Sequence, residues 1–214
     1  ADDIIGTLAT QAAGAGLDAL VVTGDRDALQ LVRPNLRVML TKKGISQLAV
    51  YDEATFTEEY QLPPIRLIDL KGLMGDASDN IPGVPGVGPK TATKLLVAYG
   101  SLENVFTHKV EVSGKKLQER LTTYEEQARL SKVLATINCQ VPDLTLSLDD
   151  AVATPDSEKL TSFCHRYGLA AILSRAGKVF NLDSREKSLP EYGGSETTEA
   201  AKTVEVLPIT PEAL

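Results

Sequence analysis

Along the first thirteen positions apolar residues recur at Ile4, Ile5, Leu8, Ala12 and Ala13, the spacing of one helix face, and Asp2 and Asp3 suit its first turn. The period then shortens. Asp18 to Thr23 is an apolar run ending at Gly24, which predicts a buried parallel strand after that helix. Leu36 to Leu40 and Ile45 to Tyr51 read as two further strands, and Phe56 to Tyr60 and Ile65 to Met74 as helices, the second delivering Asp76 to its end. From Gly88 to about Ile137 the period is helical: Ala92, Leu95, Leu96 and Tyr99 make one core stripe closed by Gly100, and Leu117, Leu121, Tyr124, Ala128 and Leu130 help make another. Leu144 to Leu148 allows a short strand, and Ser157 to about Ala176 repeats a helical pattern around Leu160, Phe163, Tyr167 and Leu169.

This pattern predicts an α/β part over residues 1–81 and a helical part over 82–182. Residues 183–202, with Pro190, Gly193, Gly194, scattered Ser and Thr and little apolar content, read as a disordered linker. Residues 203–214 read as the truncated start of another domain, because Thr203 to Leu207 again has strand character. The helix at the start has no strand before it and no initiator Met, so an upstream part of the fold is expected.

Composition changes this picture little. With 43% hydrophobic and 24% charged residues the chain fits an ordinary globular protein, and no apolar run reaches the roughly 18 residues of a spanning helix. Cys139 and Cys164 lack metal-type spacing and read as free thiols of a reducing, cytoplasmic setting; His108 and His165 are isolated. The net charge of −7 disfavours a nucleic-acid partner until it is divided along the chain. Residues 1–81 carry 12 acids against 7 bases, whereas residues 82–120 carry 6 bases against 3 acids. The basic stretch follows directly on the feature with the most chemistry.

That feature runs from Gly75 to Ala92, Gly-Asp-Ala-Ser-Asp-Asn-Ile-Pro-Gly-Val-Pro-Gly-Val-Gly-Pro-Lys-Thr-Ala. Asp76 and Asp79, three apart, could face one hard divalent cation if the local backbone turns like a helix. Gly86 and Gly88 let the backbone approach an anion, and Pro89 opens a helix whose first amides favour negative charge. A nucleic-acid backbone would satisfy both halves. Asp25 and Asp27 stand just after the strand ending at Thr23, where ligands bind in open α/β sheets.

Together with Ala1 to Leu8, Thr23-Gly24-Asp25-Arg26-Asp27 and Leu130 to Ile137, this run resembles the 5′ nuclease domain of bacterial DNA polymerase I, within the wider flap-endonuclease family, over roughly residues 1 to 180. The resemblance implies the C-terminal part of a parallel-sheet, PIN-like nuclease fold followed by a helix-hairpin-helix subdomain. It also implies a metal-dependent 5′-3′ exonuclease or flap endonuclease acting on DNA with a 5′ end, nick or flap and on RNA primers paired to DNA. It carries a metal role onto Asp2, Asp25, Asp27, Asp76 and Asp79, with Asp3 as an outer-shell candidate, and the catalytic role onto Asp25, Asp27, Asp76 and Asp79. The DNA-backbone contacts fall on Gly83, Val84, Gly86, Val87, Gly88, Pro89, Lys90, Thr91 and Lys94. Two Mg²⁺ or Mn²⁺ ions, a K⁺ at the helix-hairpin-helix, a covalently linked polymerase domain, a monomeric state and no membrane partner are also implied.

The family pattern places further acidic and basic residues upstream of Ala1, so the 214-residue chain alone is expected to cleave poorly. Tyr167-Gly168-Leu169 departs from the family, whose relatives often carry a Glu-Phe-like pair there. Two other readings stand beside this one: a free-standing 5′ flap exonuclease, and a helix-hairpin-helix module that binds DNA without catalysis. The acidic tail speaks against the first, and five aspartates at motif positions against the second.

Overall fold

The computed structural model describes residues 1–43, 47–144 and 147–180. The expected linker and following domain lie outside them. Of the strand expected at Leu144 to Leu148, the described residues Leu144, Ser147 and Leu148 are not in a strand.

Helix α1 (Asp2–Gly14) leads through a short turn into β1 (Ala19–Thr23). A 3-10 segment at Arg26–Leu31 then crosses to β2 (Leu36–Lys43), followed by β3 (Gln47–Tyr51). β1 pairs with β2 in parallel, Val21 beside Val38, and β2 pairs with β3 antiparallel, Leu40 beside Ala49. The parallel pairing matches the expectation from sequence, but full burial of β1 does not. Val21 is buried with Val38 and Leu40 on the core face, while Leu20 and Val22 are exposed on the other, the face that also carries the exposed Val50 of β3 across β2. A continuous apolar run therefore conceals a strand that the described residues cover on one face only.

Helix α2 (Glu53–Tyr60) starts at Asp52, whose carboxylate accepts from the Thr55 amide at 2.8 Å, and ends at left-handed Gln61. A 3-10 turn at Pro64–Arg66 passes into α3 (Leu67–Met74). This helix is buried on almost every side: Leu67, Leu70 and Leu73 by apolar packing, and Asp69 and Lys71 by necessity. A charge inside such a helix must find a partner, and both do.

The remaining helices of this unit are α4 (Pro89–Tyr99), α5 (Leu102–Thr107), α6 (Lys115–Thr123) and α7 (Glu125–Ala135). Leu29, Leu36, Phe56, Leu73, Leu102, Val105 and Leu121 are wholly buried in the shared core. Each such side chain stabilises the fold by about 1.5–3 kcal/mol relative to exposure. The stripe expected through Leu117 to Leu130 is broken at Tyr124 into two helices, and Leu130 is exposed rather than in the core. The buried face of α7 is Ala128, Ser131 and Ala135, small residues that bring it close to α3. A Cβ on Gly72 would stand 3.0 Å from Lys132 Cβ and 3.2 Å from the Ala128 carbonyl oxygen, so glycine at this position permits the approach.

The chain divides into two compact units, Ala1–Val152 and the residues from Ala153 onward. In the second, α8 (Ser157–Arg166) is capped by Asp156, and α9 (Ala170–Phe180) follows after Tyr167, Gly168 and Leu169. The single helical pattern read there is thus two helices, divided at left-handed Gly168. No helix of the described residues is long and apolar enough to cross a membrane.

Candidate metal centre

Asp76 leaves the end of α3 after Gly75, and the chain folds back at once. The Asp76 and Ile81 backbones exchange two hydrogen bonds of 2.8 Å, closing a small loop that contains Ser78, Asp79 and left-handed Asn80. Asp76 and Asp79 therefore share a face through a closed loop, not through a helical turn. Oδ1 of Asp76 accepts from the Ser78 amide at 2.9 Å and from the Ser78 hydroxyl, leaving Oδ2 directed at Lys71. The return strand is anchored from below: the Val84 amide bonds the Leu73 carbonyl at 2.7 Å, and the Gly83 amide bonds Ser131 Oγ at 3.1 Å. Gln127 Nε2 donates to the Gly83 carbonyl at 2.6 Å.

Asp27 arrives from the other side, in the first turn of the 3-10 segment after β1. Asp25 caps that segment, its Oδ1 accepting from the Asp27 amide at 2.8 Å. Asp27, Asp76 and Asp79 each present a carboxylate oxygen within 4.8 Å of the others. Between them lies the Lys71 ammonium, in direct contact with Asp27, 2.6 Å from Asp76 and 3.9 Å from Asp79. Sequence reasoning missed Lys71. Its signal was a lone basic residue inside the apolar run Leu70-Lys71-Gly72-Leu73, but periodicity does not say which acid such a residue meets.

The electrostatics follow from this packing. Burial raises the Asp27 carboxyl above its ordinary range, and the bond from Lys71 only partly offsets it. For Asp76 burial also pushes upward, but bonds from Lys71 and Ser78 prevail and hold it at about 2. Lys71 is raised: burial opposes its charge, and the bonds from Asp27 and Asp76 outweigh that opposition. Two or three hard oxygen donors with room for water are what Mg²⁺ or Mn²⁺ requires, so the donor set fits such an ion.

An open cavity of about 1020 Å³ joins this cluster to the start of α4. Asp25, Asp27, Asp76 and Asp79 line it, and so do Lys71, Pro89, Lys90 and Lys94. Four of the five expected metal aspartates, Asp25, Asp27, Asp76 and Asp79, line this cavity. Asp2 does not line the cavity, and neither it nor Asp3 belongs to the close carboxylate group. Asp3 Oδ1 instead accepts from the Asn138 amide at 2.8 Å, and Thr7 extends that staple between α1 and residues 138–141.

The anion-binding turn is also narrower than its motif. Val84 and Val87 are buried core side chains, and the amides of Gly83, Val84, Val87 and Thr91 are spent on partners within the protein. Gly86, Gly88, Pro89, Lys90 and Lys94 remain at the surface or on the cavity wall, and α4 opens without a side-chain cap.

Two family models match in succession, the N-terminal resolvase-like domain of the 5′-3′ exonuclease over residues 1–61 and its C-terminal SAM fold over residues 62–159. The chain belongs to the 5′-3′ exonuclease family. DNA polymerase I of Bacillus caldotenax is 48% identical over 176 residues, which cover 82% of this chain and 20% of that protein. DNA polymerase I of Bacillus subtilis is 40% identical over 209 residues, 97% of this chain and 24% of that one. The chain thus spans about a fifth to a quarter of the length of these relatives. Among solved structures, a bacteriophage T5 flap endonuclease in complex with DNA and metal ions has a TM-score of 0.56 at 21% identity, covering 64% of this chain and 49% of that one. T5 5′-exonuclease with bound zinc ions gives 0.55 at 22% identity, over 64% of this chain and 49% of that one. These likenesses bear out the nuclease fold read from the sequence.

Proposed function

We propose that this chain forms the 5′-3′ exonuclease and flap-endonuclease site of a DNA polymerase I, hydrolysing phosphodiester bonds at 5′ ends and flaps of DNA and in RNA primers. The observation that carries the reading is the shared cavity: the Asp27, Asp76 and Asp79 carboxylates and the opening of α4 with Lys90 and Lys94 line one wall system. Carboxylates alone would suit any cation, and lysines at a helix start any anion. Their junction suits a phosphodiester brought against a metal.

Asp27, Asp76 and Asp79 would hold Mg²⁺ or Mn²⁺. Asp25, Asp2 and Asp3 are proposed to face a second ion. Helix α1 contacts β1, the strand that leads to Asp25, and carries Asp2 and Asp3 in its first turn. Metal held by these carboxylates would supply activation of a water and neutralisation of charge on the leaving oxygen. Lys90, Lys94 and the exposed backbone at Gly88 and Lys90 orient the phosphate by charge and hydrogen bonding, without reading bases. A covalently linked polymerase domain, a cytoplasmic setting and a monomeric state complete the proposal. The polymerase I relatives that align along most of this chain support the first of these.

The test is cleavage of a 5′-flap duplex by the parent polypeptide in Mg²⁺. Asp76→Asn and Asp79→Asn should each lower the rate by about a hundredfold or more while leaving flap affinity within a few fold. Full cleavage by both variants would sink the assignment.

A further inference from the structure

We propose that Lys71 is a resident counter-cation of the carboxylate cluster, occupying the place of a divalent ion and giving it up when the ion binds. The inference rests on the metal reading above and adds an exchange to it.

The Lys71 side chain is only 6% exposed, because α3 is buried on nearly every side. Its ammonium cannot be hydrated like a surface lysine and settles on the anions within reach, oxygens of the same three aspartates that would ligate an ion. Asp76 is prepared for either occupant, since Ser78 holds Oδ1 and leaves Oδ2 available.

A comparison within α3 separates this arrangement from an ordinary buried ion pair. Asp69 is one carboxylate facing two cations, Arg66 at 2.9 Å and Lys132 at 2.6 Å. Lys71 is one cation facing three carboxylates. Lys71 therefore under-neutralises its surroundings, and the excess negative charge favours a cation of higher charge. That ion and the ammonium repel at contact distance, so the two do not share the oxygens. Lys71 itself lines the open cavity, which gives its flexible stem a direction to move, toward the wall carrying Lys90 and Lys94. Loading the ion would then turn a structural ammonium toward the substrate phosphate.

Mn²⁺ binding, followed by the electron paramagnetic resonance of the free ion, tests the exchange. Lys71→Met should bind Mn²⁺ at least about tenfold more tightly than the wild type, because no competitor must be displaced, whereas Lys71→Arg should bind no more tightly than the wild type. A second measurement needs no variant: in ¹⁵N-lysine-labelled protein, the shielded Lys71 Nζ resonance should move to the position of a solvated lysine on Mg²⁺ addition. Equal or weaker Mn²⁺ binding by folded Lys71→Met, or an Nζ signal unmoved at saturating Mg²⁺, overturns the exchange. With Asp76→Asn still abolishing Mn²⁺ binding, either result leaves the metal site standing. Absence of Mn²⁺ binding by the wild type and Lys71→Met alike overturns both.

Discussion

A Cβ on Gly83 would lie 2.1 Å from the backbone nitrogen of Gly75. The two residues are the start and the return of the loop bearing Asp76 and Asp79, and both have positive φ, 74° at Gly75 and 60° at Gly83. Contact with backbone cannot be relieved by turning a side chain. Gly83→Ala should therefore cost at least about 2–3 kcal/mol and abolish Mn²⁺ binding as the loop is pushed off α3. Gly14→Ala, where a Cβ meets nothing within 4 Å, is the control. It should leave both properties unchanged or raise stability slightly. Urea titration with and without metal reads the two outcomes.

The same loop depends on a hydroxyl from α7. Ser131 is wholly buried, donates to the Gln127 carbonyl at 2.8 Å and accepts from the Gly83 amide at 3.1 Å. Ser131→Ala leaves that amide without its acceptor, at a cost of about 1–3 kcal/mol. Hydrogen exchange at Gly83 should accelerate, and Mn²⁺ affinity should fall although Ser131 touches no carboxylate of the cluster. Unchanged affinity together with lost stability would show that the loop holds its shape without α7.

Next to it, Lys132 joins α7 to α3 and α5 by contacts of 2.6 Å to the fully buried Asp69 and 2.8 Å to Glu103. Lys132→Met should destabilise by about 3 kcal/mol, since Asp69 keeps only Arg66. Asp69→Asn added to Lys132→Met should recover part of the loss in a double-mutant cycle. Strict additivity would mean that the pair does not interact.

These three relationships mark what the sequence could reveal. The Gly-Asp-Ala-Ser-Asp run, the parallel strand before Asp25 and the helix opening at Pro89 are local patterns, and the structure realises each of them. Lys71, Ser131 and Lys132 each meet a partner 44 to 63 residues away, Asp27, Gly83 and Asp69, a separation across which neither period nor turn chemistry carries information. The division at Tyr124 was hidden for a similar reason: no Gly or Pro marks it, and backbone angles of −110° and 20° suffice to separate α6 from α7. Leu130 then rotates out of the stripe that a single helix would have kept buried. Asp2 and Asp76 are alike in the sequence, where charge is visible, but only Asp76 lines the cavity.

Acid should weaken the fold through Asp76. Its carboxyl is held at about 2, below the roughly 3.9 of an unfolded chain, so its contribution is present in full above about pH 4 and is lost as pH falls toward 2. Asp27 has the opposite sign: its raised value disfavours the ionised folded form, and that cost eases on acidification. Glu103 and Glu125, both lowered beside basic partners, add to the Asp76 trend. In EDTA, the urea midpoint should drop between pH 4 and pH 2, and Asp76→Asn should make the drop shallower. An identical pH profile in the variant would show that Lys71 and Ser78 do not favour the ionised carboxylate in solution.

Phosphate contact through α4 makes a separate claim, measurable without metal. Lys90 and Lys94 border the cavity one helical turn apart, and the first turn of α4 contains no acid to oppose them. Duplex affinity should fall with salt at a slope of log K against log salt of roughly −2 to −4, for two to four phosphates neutralised. Lys90→Ala or Lys94→Ala should each flatten that slope by about one unit, and the effect should be the same on duplexes of different sequence. Asp76→Asn should leave the slope steep, because removing an acid from the cluster takes away no phosphate contact. A lysine variant that weakened binding to one sequence but not another would instead place these side chains against base edges, and the helix start would have to be read as a recognition element rather than a backbone grip.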